Sequence, residues 1–440
     1  MLRPYIIPTS MTTYLRRLGL FSGTMAVVGG IIGGGIFRTP ATVAERLRSP
    51  GFVLLAWVIG GVIALIGAFC FGELGQRRPR AGGGYVYLRE TFGPLPAFLY
   101  GWTLVLVIAT GAIAAVAVTF ADYTLALLGL PHSYAVPLAV AAIVFHAGIN
   151  YGGVRPAAIT QNILTVLKLV ALAVLISSGL LLAVPSPPSA APLPPPHFAA
   201  LGTALVPILF TYGGWQQTNF IAEEIIEPER NLPRALLIGV TIVVTVYLLT
   251  NVAYLRVLGI EGLATSTAPA ADTMTAVLGP VGGKLIAAGI AVSTFAFLNL
   301  VILVTPRVLQ AMAADGVFFR RFAELHPVYH TPTAAIVSLA VLAVLLTLSG
   351  TFGQLVDYVT FGDWIFFGST VACLYVYRAR DQAPRAGFGV PGYPVTPALF
   401  VLAAAFVVFS AIASNPRNAA FGAGLIGLGI PAYLFWRSRP

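Results

Sequence analysis

The sequence predicts an all-α integral membrane protein with twelve transmembrane helices, of which the first and the sixth are broken. Three observations support this fold class. Hydrophobic residues make up 58% of the 440 residues and charged residues only 9%, whereas soluble domains carry about 25% charged residues. Apolar runs of roughly 20 residues, the length that crosses a bilayer, recur along the chain. Glycine clusters interrupt the first and the sixth of these runs.

The predicted spans follow the apolar runs in chain order. They cover residues 20–46, 52–76, 94–128, 133–150, 156–184, 199–227, 234–258, 282–313, 333–350, 355–378, 394–414 and 418–436. The uncharged run Leu169–Ala222 is long enough for two spans. Prolines between residues 185 and 196 divide it, because proline is incompatible with a helix interior.

The chain divides into two similar halves. Spans one to five and six to ten each begin with a glycine-interrupted helix, which predicts two inverted five-helix repeats over residues 19–184 and 199–378. The predicted boundaries place a cytoplasmic N-terminus at 1–18 and a proline-rich outer loop at 185–198. Spans eleven and twelve, with a short cytoplasmic tail, fill 379–440.

The net charge of +10 orients the protein. With the N-terminus in the cytoplasm, eighteen basic residues fall on the cytoplasmic side and six on the outer side, while Lys168 stays inside a span. This asymmetry follows the positive-inside rule and makes both termini cytoplasmic. We therefore expect a multi-pass protein of the plasma (inner) membrane, in contact with lipid and without a nucleic-acid partner.

Enzyme chemistry has little support in the sequence. The two cysteines, Cys70 and Cys373, lie inside predicted spans, so no disulfide framework is expected. The five histidines are scattered and none shares metal-site spacing with a cysteine. A phosphate-binding loop of the Walker type is also missing from the sequence. The sequence therefore predicts no enzyme activity, no metal and no cofactor.

The two interrupted segments are the strongest functional signal. The first break lies in Gly29–Phe37 and the second in Phe210–Trp215. Glycine costs roughly 1 kcal/mol against alanine in a helix, and unwound backbone in a bilayer must line a cavity or be buried in protein. Close packing of helices at small residues would explain one such cluster. A matched pair in two halves instead indicates the substrate site of a transporter.

Lys168 is the most informative single residue. It and Lys284 are the only lysines, and Lys168 lies within the fifth predicted span. A charge in that position is costly and indicates a functional site by default. The alternative is a lysine whose ammonium reaches the membrane surface along its flexible stem.

Several motifs together resemble the amino acid–polyamine–organocation transporter superfamily. The first break resembles its first-span motif, and the later motifs are most similar to the L-type amino acid transporter branch. These motifs occupy residues 29–40, 73–93, 212–233, 249–254, 306–316, 364–368 and 391–394. The resemblance implies a LeuT-like fold of ten core helices and two peripheral ones. It also implies sodium-independent transport of amino acids by alternating access.

The resemblance assigns the carboxylate of the substrate to the first break. There the backbone amides of Gly33, Gly34 and Gly35 would bind it, as helix N-termini bind anions. Relatives often carry serine or threonine where this chain has Gly34, so a hydroxyl contact is lost.

The resemblance assigns the substrate ammonium mainly to the second break. The carbonyls of Ile31, Phe210 and Gly213 would bind it, because carbonyls at a helix C-terminus attract cations. Phe210 matches an aromatic gate above the substrate, with ordinary helix packing as the alternative. Thr211 would face the substrate side chain and narrow the pocket, and Tyr212 would complete the site.

By the same resemblance, the ammonium of Lys168 takes the place of a sodium ion. It would bridge the first helix to span eight, where Asn299 and Thr305 offer oxygens. Because a desolvated lysine can release its proton, two mechanisms stay open. Lys168 is either a fixed internal cation in an exchanger or a proton carrier in a symporter.

The acidic residues favour a neutral substrate, because neither broken segment contains one. Asp363, in span ten, has three alternatives: a wet vestibule, a pair with an arginine, or contact with substrate. Glu223 and Glu224 are expected to pair structurally with Arg230 and Arg234. The loop 129–134 has no cysteine, so we expect no disulfide-linked ancillary subunit.

The sequence thus predicts a secondary transporter that moves neutral L-amino acids by alternating access, without sodium and by exchange. A proton-coupled symporter of amino acids or amines is the alternative within this class. An amino acid sensor that does not transport is the alternative from another class. A long cytoplasmic signalling tail would favour the sensor, and only Arg437–Pro440 follows the last predicted span.

Overall fold

The computed structural model describes residues 13–183, 198–350, 352–381 and 387–437. The regular elements of this part of the chain are helices, and one isolated bridge joins Leu18 to Ile225. The all-helical prediction is confirmed. Residues 185–197 of the predicted outer loop lie outside the described residues.

Eight α-helices precede the undescribed segment 184–197. They are α1 Leu20–Ile31, α2 Thr39–Leu47, α3 Pro50–Arg77, α4 Gly84–Phe92, α5 Pro94–Thr103, α6 Thr110–Leu128, α7 Ala135–Tyr151 and α8 Val154–Ser177. A π-helical stretch, Leu104–Ala109, joins α5 to α6 without a break.

Eight further α-helices follow. They are α9 Phe198–Thr211, α10 Pro228–Thr265, α11 Pro269–Ala314, α12 Thr333–Ser349, α13 Phe352–Arg380, α14 Val395–Ser414, α15 Pro416–Gly427 and α16 Gly429–Arg437. Among the described residues, eight helical stretches are long and apolar enough to cross a membrane. The chain is therefore a multi-pass membrane protein, and α1 and α12 are shorter apolar helices.

Two helices extend well beyond their predicted spans. α10 begins six residues early because Pro228 occupies its first turn, where a missing N–H costs no hydrogen bond. It also continues past a kink at Gly259, whose φ is 67°. α11 likewise begins with a short stretch before a kink at Gly279, whose φ is 63°. These extra segments of α10 and α11 lie outside the apolar runs from which the spans were predicted, so hydrophobicity alone did not reveal them.

Both predicted interruptions are present. α1 ends at Ile31, and after Gly33 and Gly34 the chain forms a short 3-10 turn, Gly35–Phe37, before α2. α9 ends at Thr211, and a 3-10 segment, Trp215–Glu224, follows the second break. Each interruption leaves carbonyls unpaired at the end of one helix and N–H groups unpaired at the start of the next.

The two breaks cross each other at Gly30 and Gly214. A Cβ atom on Gly30 would lie 2.8 Å from the Gly214 carbonyl oxygen, and one on Gly214 would overlap the Gly30 carbonyl. Gly214 also has a φ of 111°, a conformation that favours glycine. Near this point, a Cβ on Gly35 would lie 2.8 Å from the Thr211 Cγ2 methyl. The crossing therefore depends on glycine in both segments.

Aromatic side chains pack behind the crossing. The ring of Trp57 makes edge contacts with Tyr212 at 5.6 Å and Tyr247 at 5.7 Å between centroids. The Tyr247 hydroxyl donates to the Ile31 carbonyl at 3.1 Å, and the Tyr212 hydroxyl donates to the Trp57 carbonyl at 3.3 Å. This cluster joins α3 and α10 to both interrupted segments.

Arg307 and Glu224 form a buried ion pair where α11 meets the end of the second interrupted segment. Arg307 Nε and Nη2 donate to the two Glu224 oxygens at 2.9 and 3.0 Å, and the side chains are 0% and 1% exposed. The expected pairing of Glu224 with Arg230 or Arg234 is wrong. Arg230 is exposed and lies 3.9 Å from Glu227, because α10 turns it away from the bundle.

The start of the chain covers this ion pair. The N–H groups of Arg17 and Leu18 both donate to the Glu224 backbone carbonyl at 2.9 Å. The Arg307 guanidinium lies 5.9 Å from the ring centre of Tyr14. The structure is therefore closed at this end of the bundle.

The glycine-rich loop after α3 adds to the closure. It continues into α4, whose Tyr85 and Tyr87 are 0% exposed. Asn219 Nδ2 donates to the Tyr87 hydroxyl at 3.1 Å, and Gly83, with a φ of 47°, packs against Asn219. The loop and α4 thus contact the 3-10 segment that follows the second break.

Replacing Gly214 by alanine tests the crossing. Gly214→Ala should destabilise the protein by about 2–5 kcal/mol, from the left-handed φ and the overlap with the Gly30 carbonyl. Thermal unfolding of detergent-purified protein measures the change. Gly148→Ala in α7 is the control, because a Cβ there meets nothing within 4 Å. Equal unfolding temperatures for the two variants would contradict the close approach.

Candidate substrate site

Open space borders the first break. Gly33, Gly34 and Gly35 are partly exposed, whereas Ile32 and Ile36 on either side are 0% exposed. A Cβ atom on Gly34 would meet nothing within 4 Å. The glycine backbone is therefore the accessible part of the break, between residues that are buried in the bundle.

The amides of the first break differ in their partners. Gly33 N–H donates to the Ile31 carbonyl at 2.9 Å. In the described part of the chain, the N–H groups of Gly34 and Gly35 have no hydrogen-bond acceptor. They precede the 3-10 turn and α2, and such helix starts favour anions. Two of the three predicted carboxylate ligands are thus unpaired donors.

The three carbonyls predicted to bind the substrate ammonium differ in the hydrogen bonds that they already accept. The Ile31 carbonyl accepts from Gly33 N–H at 2.9 Å and from the Tyr247 hydroxyl at 3.1 Å, which occupies both of its lone pairs. The Phe210 carbonyl accepts from Gly213 N–H at 3.1 Å. Gly213 is partly exposed, and no described hydrogen bond reaches its carbonyl. Of the three predicted ligands, Gly213 is thus the one whose carbonyl accepts no hydrogen bond among the described residues.

The side chains at the end of α9 and directly after it take different positions. The Thr211 hydroxyl bonds to the Pro207 carbonyl at 2.8 Å and the Thr39 hydroxyl at 2.9 Å. Thr211 thus ties α9 to α2, and its hydroxyl does not face the open space. Tyr212 is 1% exposed and lies in the packed aromatic cluster behind the break. Phe210 is 45% exposed.

Lys168 binds the end of α1 directly. Its side chain is 0% exposed, and Nζ donates to the Ile32 carbonyl at 2.6 Å and the Gly29 carbonyl at 3.3 Å. Ser293 Oγ lies 3.2 Å from the carbonyls of both Ile32 and Gly33. A cation therefore occupies the helix C-terminus created by the break, where it is stabilised by the helix dipole.

The structure places Ser293, and neither Asn299 nor Thr305, at the carbonyl that Lys168 binds. Asn299 Nδ2 donates instead to the Ala157 carbonyl and to Gln161 Oε1, both at 3.0 Å. Thr305 is twelve residues beyond Ser293 on α11, about 18 Å along a helix. Lys168 and Ser293 of α11 thus meet only through the Ile32 carbonyl that both of them contact, and Asn299 is six residues further along α11 than Ser293.

A chain of buried amides supports the same helix end. Asn150 donates to Asn299 at 3.1 Å, and Asn299 donates to Gln161. Gln161 donates to Thr165 at 3.1 Å, and Thr165 donates to the Met25 carbonyl at 3.3 Å. These bonds connect α7, α11 and α8 to α1.

Sequence reasoning missed Gln161 and Thr165. The signal was available, because Gln161, Thr165 and Lys168 are spaced by four and three residues and therefore share one helix face. Ser293 carried no comparable signal, since a single serine in a long apolar helix has many structural roles.

Asp363 lies in α13 next to Trp364, which is 4% exposed. The ion pairs among the described residues do not include Asp363. Of the three alternatives for this residue, the arginine pair thus has no support here.

The fold and site define a class of protein. Apolar helices, two of them interrupted and crossing beside a cavity, form the arrangement of a membrane transporter. A comparison with family models agrees, since the amino acid permease model matches residues 18–431. The chain belongs to the amino acid permease family, within the amino acid–polyamine–organocation superfamily.

Individual relatives are also amino acid transporters. The chain is 33% identical over 416 residues to the b(0,+)-type amino acid transporter 1 of Homo sapiens, covering 92% of this chain and 84% of the relative. It is 31% identical over 440 residues to the large neutral amino acids transporter small subunit 2 of Mus musculus, covering 97% and 82%. These relatives are transporters and not enzymes, as the sequence analysis predicted.

Replacing Lys168 by methionine tests its role at the broken helix. Lys168→Met keeps the side-chain length but removes both charged hydrogen bonds, so transport should fall at least about tenfold. Membrane insertion, judged from monodisperse purified protein, should persist. Lys284→Met is the matched control, because Lys284 is the other lysine and is exposed. Unchanged transport by Lys168→Met would remove this lysine from the mechanism.

Adding a hydroxyl at Gly34 tests the carboxylate site. Gly34 has a φ of −84° and open space around it, so serine fits without strain. Gly34→Ser should lower KM about tenfold, because a hydrogen bond to a charged group contributes about 1.5–3 kcal/mol. Gly19→Ser is the control, since it is equally uncrowded but lies before α1. A KM that rises or stays equal would show that the carboxylate binds elsewhere.

Proposed function

We propose that this protein is a secondary transporter that exchanges neutral L-amino acids across the plasma (inner) membrane by alternating access. The observation that carries the proposal is the crossing of the two breaks beside open space. Among the described residues, the N–H groups of Gly34 and Gly35 and the carbonyl of Gly213 have no hydrogen-bond partner, so the two breaks offer complementary partners for a zwitterion.

Sodium independence is supported by the environment of Lys168. Its ammonium is bound by the Ile32 and Gly29 carbonyls, and Ser293 contacts the same Ile32 carbonyl at 3.2 Å. These oxygens are the kind of ligands that a monovalent metal ion needs at an unwound helix. A fixed cation supplies the same positive charge without an ion gradient.

A neutral substrate is supported by the absence of acidic residues from both breaks. A cationic side chain would need a carboxylate nearby, because burying an unpaired charge is costly. One relative carries large neutral amino acids in its name. That relative is also named as a small subunit, whereas loop 129–134 of this chain has no cysteine for a disulfide-linked partner.

The proposed topology has twelve spans in two inverted repeats, 19–184 and 199–378, followed by two peripheral helices. Both termini are cytoplasmic in this arrangement, as the distribution of arginines favours. The end closed by Arg307 and Glu224 then faces the cytoplasm. Substrate would enter the site in this conformation from the opposite side.

Proton-coupled symport is the second candidate, and Lys168 is the observation that favours it. Lys168 is fully buried, and its described hydrogen bonds are to backbone carbonyls and not to a carboxylate. A lysine without a counter-ion can release its proton when the site opens. An amino acid sensor has no comparable structural support.

Transport in proteoliposomes tests the proposal. Vesicles containing purified protein are loaded with unlabelled alanine, and uptake of labelled alanine is measured with and without internal substrate. Exchange predicts uptake that depends on internal amino acid and does not change when sodium replaces potassium. A protonophore should have no effect.

Three outcomes separate the candidates. Uptake into empty vesicles that is driven by an inward proton gradient and abolished by the protonophore would establish symport instead. Uptake that requires sodium would contradict the role of Lys168. Specific binding without any uptake would support a sensor, with Lys168→Met protein as the inactive reference in each case.

A further inference from the structure

One face of α11 lies along the first break. Ser293, Phe297 and Leu300 are spaced by four and three residues, which places them on the same side of a helix. Ser293 contacts the Gly33 carbonyl at 3.2 Å. A Cβ on Gly33 would lie 3.7 Å from Phe297 Cδ2, and one on Gly30 would lie 2.9 Å from Leu300 Cδ2. This face therefore forms one wall of the break.

Phe297 differs from the rest of this wall in its exposure. Ser293 and Leu300 are 0% exposed, as are the neighbours Ala296 and Leu298. Phe297 is partly exposed although it lies in the middle of the largely buried helix α11. Its ring therefore borders open space, and its 3.7 Å approach to Gly33 places that space at the break.

The dimensions of the pocket follow from this position. A substrate held by the Gly34 and Gly35 amides would lie beside the Phe297 ring, because that ring approaches the adjacent Gly33. Thr211 limits the other side, since its methyl group packs on Gly35. A phenyl ring that fills part of the cavity leaves less volume for the substrate side chain, and close-packed rings do not yield without strain.

We propose that Phe297 is a specificity-determining residue that restricts the substrates to small neutral amino acids such as alanine and serine. This inference rests on the proposed function and specifies its substrate class. The residue acts by occupying volume, so truncating it enlarges the pocket without changing the groups that bind the carboxylate or ammonium.

A selectivity measurement tests this proposal. Proteoliposomes are loaded with alanine, and exchange of external labelled alanine, serine, leucine and phenylalanine is compared as Vmax/KM. The unmodified protein should prefer alanine and serine. Phe297→Ala should raise the leucine-to-alanine ratio at least about tenfold, since pocket fit changes selectivity by 10–200-fold per methylene. Phe297→Leu should shift it in the same direction by less.

Phe295→Ala is the matched control. Phe295 is two residues away on α11, but its ring contacts His146 at 4.1 Å and Phe120 at 4.7 Å between centroids, on the side facing α6 and α7. The Phe295→Ala substitution removes the same number of atoms as Phe297→Ala, but at a position that does not border the break. Its leucine-to-alanine ratio should equal that of the unmodified protein, whatever its effect on stability.

The outcomes distinguish this inference from the proposed function. If Phe297→Ala and Phe297→Leu change all four substrates in proportion, or if the unmodified protein prefers leucine and phenylalanine, the specificity role is wrong while amino acid transport stands. If no amino acid is exchanged by any variant, both fail. Phe297→Leu keeps a large apolar side chain, so the test survives poor folding of the alanine variant.

Discussion

The need to pair every peptide group inside a membrane is the constraint on which the rest of this structure depends. Helices pair their peptide groups through internal hydrogen bonds. Unwound segments can pair theirs only with other protein groups or at a polar cavity. Here the last turn of α1 meets the second unwound segment at Gly30 and Gly214, where the absence of side chains lets the backbones touch. The two interruptions of the chain are thus brought together at one place.

The surrounding groups of the described chain form hydrogen bonds with the carbonyl end of the first break but not with its amide end. Its carbonyl end is occupied by Lys168, Ser293 and the Tyr247 hydroxyl, which bind Ile31 and Ile32. Its amide end, at Gly34 and Gly35, has no such partners among the described residues. Within the described part of the chain, the amide end of the break therefore offers two free N–H donors, which favour a negatively charged group.

The sequence predicted features that are local and missed those that depend on distant pairing. Glycine clusters identified both breaks, and a lone lysine in an apolar span identified Lys168, because each is unusual within its own segment. The partner of Glu224 was predicted among nearby arginines, but Arg307, 83 residues away, binds it. The residue beside Lys168 on α11 was likewise misplaced, since which face of a helix meets a neighbour depends on packing. Phe297 gave no sequence signal at all.

The sealed end of the bundle has a thermal consequence. Arg307 and Glu224 are almost completely buried, so separating them requires their hydration, and an uncompensated buried charge costs several kcal/mol. Hydration of ions becomes less favourable as temperature rises. Warming therefore favours the dry, paired arrangement over the hydrated one. If this end of the bundle opens during transport, the ratio of closed to open protein should therefore depend on temperature through this ion pair.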